Sequence, residues 1–336
     1  METPKVKFLI IRLSSIGDIV LTTPVVRALK QQVDGAEIHY LVKPQFKNIL
    51  ASNPYINKIH EYTTHRETKT LLKQELFDYV IDLHNNFRTK RLKNSIKVLD
   101  FTVDKINFKK FLLTRFKINR LPDVHIVDRY LDTLKVFDVK NDSQGLDYFY
   151  SKQSEKDFEV LPLHDKYISI AIGGQHYTKQ MPIDLLGKLC SFIDRPIVLL
   201  GGRDDVENGN LIVESSLNKN ITNFCGKVSL DVSALIIKNS VLLITHDTGL
   251  MHIGAAFKKT IFSIWGNTVP DFGMYPYMAD KNSEIFQVEG LKCRPCSKIG
   301  YKNCPKTHFK CMREQDIRLI ANKSQIVFDK NDKDLP

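Results

Sequence analysis

Two short polar segments, each at the end of an apolar run, hold residue types that can work together chemically. The first is Ser14-Ser15-Ile16-Gly17-Asp18, which opens an amphipathic stretch running to about Gln32. A carboxylate at a helix start caps free backbone N–H groups. Aimed at a ligand instead, Asp18 is a general base for a hydroxyl. The second runs from Thr245 to Ala256, Thr-His-Asp-Thr-Gly-Leu-Met-His-Ile-Gly-Ala-Ala. Here Gly249 lets a ligand approach the backbone, while Thr248 and the neighbouring N–H groups at the positive helix end suit a pyrophosphate. His252, about one turn in, adds a cationic contact. The same residues also read as a capping Asp247-Thr248 pair over a core histidine, but the density of polar groups beside Gly249 favours a ligand site. No G-x-G-x-x-G occurs in the opening loop, so a dinucleotide fingerprint is absent. A third cluster is Cys293, Cys296, Cys304 and Cys311, four thiols within nineteen residues. That spacing suits a structural tetrahedral Zn²⁺, and equally a Pro/Lys-rich loop of reduced thiols. Cys190 and Cys225 read as small buried apolar residues.

The elements that must position these groups alternate in period. Val6–Ile11, Glu37–Val42, Asn57–Tyr62, Tyr79–Leu83 and Ser95–Phe101 read as strands, and His125–Phe137 as a helix. A second series follows the polar stretch 138–165: strands near Tyr167–Ile172, Pro196–Leu200, Asn220–Phe224, Ser240–Ile244 and Thr260–Ile264. Helical windows lie between them at Pro182–Ile193, Asp204–Leu217, Ser229–Lys238 and Gly249–Phe257. Strands alternating with helices predict parallel sheets, and two such series predict two doubly wound α/β domains. The expected division is 1–150, 160–311, and a C-terminal helix with a polar tail over 312–336. The tail from 329 is too polar to expect order. Ligands in such sheets bind beyond the carboxyl ends of the strands, where both polar segments fall.

At 336 residues, 43% apolar and 26% charged, the chain can bury a sizeable core and is not disordered by composition. No apolar run approaches the ~20 residues that cross a bilayer, and Phe8–Ile11 is too short for a signal-peptide core. A soluble cytoplasmic protein is expected. The net charge of +11 is unevenly placed. Residues 88–120 hold eleven Lys/Arg against two Asp, and 292–313 hold seven with no acid, leaving the remainder slightly acidic. Two basic zones on such a body point to a polyanionic partner. One way to use them is a non-catalytic protein that binds RNA or another polyanion through 88–120, where Phe101, Phe108, Phe111 and Phe116 interleave with the charges.

Arg12-Leu13-Ser14-Ser15-Ile16-Gly17-Asp18, with Thr23-Pro24 downstream, resembles the N-terminal signature of bacterial lipopolysaccharide heptosyltransferases, glycosyltransferase family 9. Asp247 to Ala256 is similar to that family's nucleotide-sugar motif. Asp82-Leu83, His125, Lys179 with Pro182, Gly201-Gly202 and Lys227-Val228-Ser229-Leu230 follow in the family's order. The resemblance spans about residues 6–315. It implies a GT-B fold, with two Rossmann-like domains facing across a cleft, and an inverting transfer that needs no metal. By the same resemblance Asp18 is the base, and Asp247, Thr248, Gly249 and His252 hold the diphosphate and its sugar. Lys179 pairs with phosphate, and Val228 lines an adenine pocket. Ser15, Gly17, Arg88, Lys90 and Arg91 fall on the acceptor side. The implied donor is ADP-heptose, and the acceptor an anionic inner-core glycolipid at the inner face of the cytoplasmic membrane; no nucleic-acid partner is implied. The sequence departs from the family where its K-x-W-P reads Lys179-Gln180-Met181-Pro182, and where Gly174, Gln175 and Arg203 replace hydroxyl and acidic residues. These departures bear on the donor sugar.

Overall fold

A computed structural model describes residues 5–330. They form two compact units: the chain up to Asn107 with Asp123–Tyr150, and Phe108–Pro122 with the chain from Ser151 onward.

In the first unit five strands, β1 (Val6–Ile11), β2 (Ala36–Val42), β3 (Lys58–Glu61), β4 (Tyr79–Asp82) and β5 (Leu99–Thr102), form a sheet in the order β3-β2-β1-β4-β5. Every pairing is parallel. The centre falls to β1 because Phe8–Ile11 is a continuous apolar run, buried on both faces. The chain steps outward from β1 through β2 to β3, then returns to β4 on the other side. The order therefore reverses between β1 and β4, whose ends align with Ile11 opposite Asp82.

Arg27, on the helix Thr23–Gln32, ties this unit together. It is almost fully buried, donates to both oxygens of Asp142 at 2.7 and 2.9 Å and to the Gly145 carbonyl at 2.8 Å, and pairs with Asp147. Removing it would leave two half-shielded carboxylates unpaired. Arg27→Met is expected to lower stability by about 3 kcal/mol in chemical denaturation.

The second unit has β6 (Ile168–Ala171), β7 (Ile197–Leu200), β8 (Ile221–Asn223), β9 (Leu242–His246), β10 (Ile261–Trp265) and β11 (Glu284–Gln287), in the order β11-β10-β9-β6-β7-β8. All pairs are again parallel. The reversal lies between β6 and β9, with Ala171 opposite Thr245. The helix Ile317–Lys330 packs Ile320, Ala321 and Phe328 into the same core as Ile168 and Leu199, so it is part of this unit and not an appendage. Residues 331–336 of the expected tail lie outside the described residues.

The doubly wound α/β expectation holds in both units, with local differences. Ser95–Phe101 is not one strand: Ser95 and Ile96 end the helix Phe87–Ile96, Lys97 caps it in the left-handed region at φ 58°, and β5 starts at Leu99. The apolar residues on either side of that cap read as continuous only when the cap is overlooked. The polar stretch 138–165 holds a helix, Lys152–Glu159, and the strand β11 had no expectation behind it. Phe108–Pro122, expected with the first domain, belongs to the second unit.

Candidate active site

At the first reversal point the chain leaves β1 through Arg12 and turns into a short helix, Ile16–Val20, in which Asp18 is the third residue. Asp18 Oδ2 accepts from the Ser15 N–H at 3.2 Å and from its hydroxyl at 3.0 Å. Arg12 Nη2 lies 2.6 Å from Asp18 Oδ1. The guanidinium is itself fixed: Nε donates to the Ser14 carbonyl at 2.8 Å, and Nη1 to the Leu83 carbonyl at 2.7 Å and the Tyr130 hydroxyl at 2.9 Å. Burial alone would raise the Asp18 carboxyl, but Arg12 and the Ser15 donors outweigh it and hold the group at about 2. Asp18 is therefore a permanently charged carboxylate, 24% exposed, with three of its roughly four acceptor directions occupied. One remains for an incoming hydroxyl. Gly17 is buried beneath it.

Leu83 belongs to the loop after β4, which brings His84 into the electrostatic surroundings of Arg12 and Asp18. Burial, then the charges of Arg12 and Lys105, push its imidazole down to about 3, so it is neutral. Its Nδ1 is buried without a hydrogen-bond partner. Sequence reasoning singled out Asp82-Leu83 but not His84, and it took Arg12 only as part of a signature, without a role. The signal was positional: both follow strands that flank the reversal. His125 caps the helix Ile126–Leu131, accepting from the Val127 N–H at 3.2 Å.

At the second reversal point Lys179, from the loop after β6, reaches Asp247, after β9. Its Nζ donates to Asp247 Oδ2 at 2.6 Å, and Thr268 Oγ1 donates to the same oxygen at 2.9 Å. The helix Gly249–Ala256 starts here. Its cap residue Thr248 makes no side-chain cap and lies 3.3 Å from the Thr245 hydroxyl. The first-turn N–H groups are thus left for another acceptor. Side chains pack close against the glycines of the loop after β6: a Cβ on Gly174 would sit 3.4 Å from the Thr248 methyl, and one on Gly173 only 2.2 Å from Asp205 Oδ2. His252 is buried in the helix rather than projecting as a surface cation. The neighbouring His246 accepts from the Met181 N–H at 3.0 Å, and burial lowers its imidazole to about 4. Val228 is half-buried after β8, just before Ser229 caps the helix Leu230–Asn239.

The remaining expected residues fall elsewhere. Arg88, Lys90 and Arg91 are exposed on the helix Phe87–Ile96 of the first unit, beside Phe87, which is 81% exposed. The rest of the basic zone divides: Phe108, Phe111 and Phe116, with Lys109, Lys110 and Arg115, lie on the helix Asn107–Phe116, almost all of it in the second unit. Those three aromatics are exposed, whereas Ile106 and Leu113 are buried. Cys293, Cys296, Cys304 and Cys311 lie near one another in the second unit. All four are free thiols, and among the described residues no three of the sulfurs lie within 4.8 Å of one another. Lys117 reaches this loop through the carbonyls of Cys293 at 3.1 Å and Pro295 at 2.6 Å.

The glycosyltransferase family 9 (heptosyltransferase) sequence model matches residues 65–306, well over half of the chain. The chain belongs to glycosyltransferase family 9. Lipopolysaccharide heptosyltransferase 1 of Campylobacter coli is 25% identical over 78% of this chain and 84% of its own. Lipooligosaccharide heptosyltransferase 2 of Haemophilus influenzae is 25% identical over 87% of this chain and 92% of its own. The solved structure of E. coli ADP-heptose LPS heptosyltransferase II is 18% identical and superposes with a TM-score of 0.75, covering 97% of this chain and 99% of that one. Family 9 membership makes the chain a glycosyltransferase of the heptosyl-transferring kind, with the α/β GT-B fold. It also decides against a non-catalytic polyanion binder. Among the described residues no helix is long and apolar enough to cross a membrane.

Proposed function

We propose that the chain transfers a heptosyl residue from ADP-heptose to a hydroxyl of a lipopolysaccharide inner-core acceptor, with inversion, using Asp18 as base. Support comes from the family, from relatives that carry that activity in their names, and above all from the β6–β9 reversal point. There a lysine, two hydroxyls and an uncapped helix start converge. As the acceptor oxygen bonds to the anomeric carbon, the bond from that carbon to the diphosphate breaks and the hydroxyl proton passes to Asp18. Lys179 and the amides of the first turn of Gly249–Ala256 neutralise the charge gathering on the departing diphosphate. In this reading a catalytic metal has no task left to perform. The Asp247 carboxylate would repel a phosphate, so its role is to aim Lys179, with Thr268 holding the same oxygen. His252 supports the helix start from within, and Val228 flanks the adenine.

The acceptor side is Ser15, Gly17 and the exposed Arg88, Lys90 and Arg91. Basic residues next to exposed Phe87, and again next to Phe108, Phe111 and Phe116, suit peripheral contact with the anionic inner face of the cytoplasmic membrane, worth roughly 1 kcal/mol per Lys or Arg at the surface.

A thermal-shift panel of nucleoside diphosphates and their sugars tests the donor directly, because a ligand that binds only the folded state raises its melting temperature by mass action. ADP and ADP-heptose are expected to give the largest shifts. A larger shift from UDP or GDP would reassign the base, and no shift from any diphosphate would end the reading.

A further inference from the structure

At the edge of the first sheet, away from its reversal point between β1 and β4, one face carries a cluster that sugar transfer does not use. The register of β2 on β3 puts His39 opposite Lys58 and Leu41 opposite His60, so Glu37, His39, Lys58 and His60 share that face. The residue after the helix His65–Gln74 is Glu75, which closes over them. His39 Nδ1 lies 3.0 Å from His60 Nε2 and 3.7 Å from Glu75 Oε2, and His60 Nε2 lies 4.0 Å from Glu75 Oε1. Both imidazoles are only 2% exposed, whereas Glu75 at 16% leaves a way in. The ring of Phe77 stands edge-on to both histidines.

We propose that His39, His60 and Glu75 form a binding site for a divalent transition metal ion, with zinc as the natural occupant. A tetrahedral ion with bonds of about 2.0–2.1 Å sets its ligand atoms about 3.3 Å apart, and the three separations here bracket that value. Two imidazoles and a carboxylate make a donor set suited to zinc and its neighbours. Among the described residues this is the one group of three such side chains with all ligand atoms within 4.8 Å of one another. A second observation points the same way. His39 turns its other nitrogen, Nε2, to Glu37 Oε1 at 3.0 Å, the carboxylate support that orients metal-bound histidines and raises their basicity. Lys58 Nζ hydrogen-bonds Glu75 in this structure and so holds the place of the cation. A bound ion would displace it and tie β2, β3 and the end of the helix together.

The full chain, stripped with chelator, is titrated with zinc against a chromophoric chelator and then, separately, with cobalt. One zinc per chain is expected, weakened by at least about tenfold in His60→Asn and in Glu75→Gln. Lys58→Met, which removes the competing ammonium, is expected to bind more tightly than the parent. The cobalt form should lack the near-ultraviolet thiolate charge-transfer band that ligation by Cys293, Cys296, Cys304 or Cys311 would give. Failure of the parent to bind zinc stoichiometrically would overturn the site. So would zinc held equally well by the Glu75→Gln protein, or a thiolate band in the cobalt form. Lys58→Met binding no tighter than the parent would leave an ordinary hydrogen-bond chain from Glu37 through His39 to His60. Glu75 and Lys58 lie near the surface, so their variants test the proposal even where His60→Asn fails to fold.

Discussion

Asp18→Asn is expected to lower kcat by about 10²–10⁴-fold while leaving the dissociation constant for ADP, read by calorimetry, unchanged. The amide keeps the shape of the carboxylate but cannot take the acceptor's proton. With Arg12 and Ser15 holding the group at about 2, the native carboxylate is a weak base. That suits a late proton transfer, because a hydroxyl becomes strongly acidic only once its oxygen is bonding to the anomeric carbon. A base of this kind stays ionised through the physiological range, so kcat should be flat on the acid side until the fold itself yields. A limb near pH ~6.5 would point to a histidine base instead. The stability sign follows from the same shift. The native carboxyl is held below its ordinary 3.8, so its contribution is complete above that pH and is lost as the pH falls toward about 2. The variant also leaves the buried Arg12 without its counterion, so it will melt earlier, and rates belong well below its melting temperature. Loss of ADP binding in a folded Asp18→Asn protein would make Asp18 a structural residue and remove the mechanism.

How much of this was legible follows from how local each feature is. The β1 run, the Asp18 turn and the Thr245–Ala256 segment each lie within a dozen residues, and periodicity and cap chemistry locate them. Two of the partners of Arg12 are a carbonyl 71 residues on and a hydroxyl 118 residues on, and nothing in a local window joins them to it. Lys179 and Asp247 are 68 residues apart and meet only because β6 and β9 are neighbours. Once two doubly wound sheets are expected, strand order alone places such loops together, so His84 was within reach by the same logic. The excursion of Phe108–Pro122 into the second unit left no compositional mark, since its basic, aromatic character continues unbroken from residue 88. The metal-ligand cluster was invisible for another reason: His39, His60 and Glu75 come together through the β2–β3 register, and sequence spacing does not carry register. The cysteines differ in that they are close along the chain and also near one another in space, Cys296 and Cys311 each feeling other thiols of the cluster.

Lys179→Met is expected to lower kcat/KM for the donor by about 10²–10³-fold, roughly 3–4 kcal/mol of transition-state stabilisation, with KM for the acceptor unchanged. The ion pair complicates the reading, because losing Lys179 also strands the Asp247 carboxylate, which is only 9% exposed and then keeps Thr268 alone as a partner. A purely structural pair and a donor-binding lysine would therefore both weaken the enzyme. The double variant Lys179→Met/Asp247→Asn separates them. It removes the stranded charge, so it should recover most of the stability lost in the single variant, a non-additivity expected of residues in contact. Activity should not recover with it, because the cation that meets the diphosphate is still missing. If turnover returned along with the melting temperature, Lys179 would have been serving the fold alone, and stabilisation of the leaving group would have to come from the helix start and other side chains.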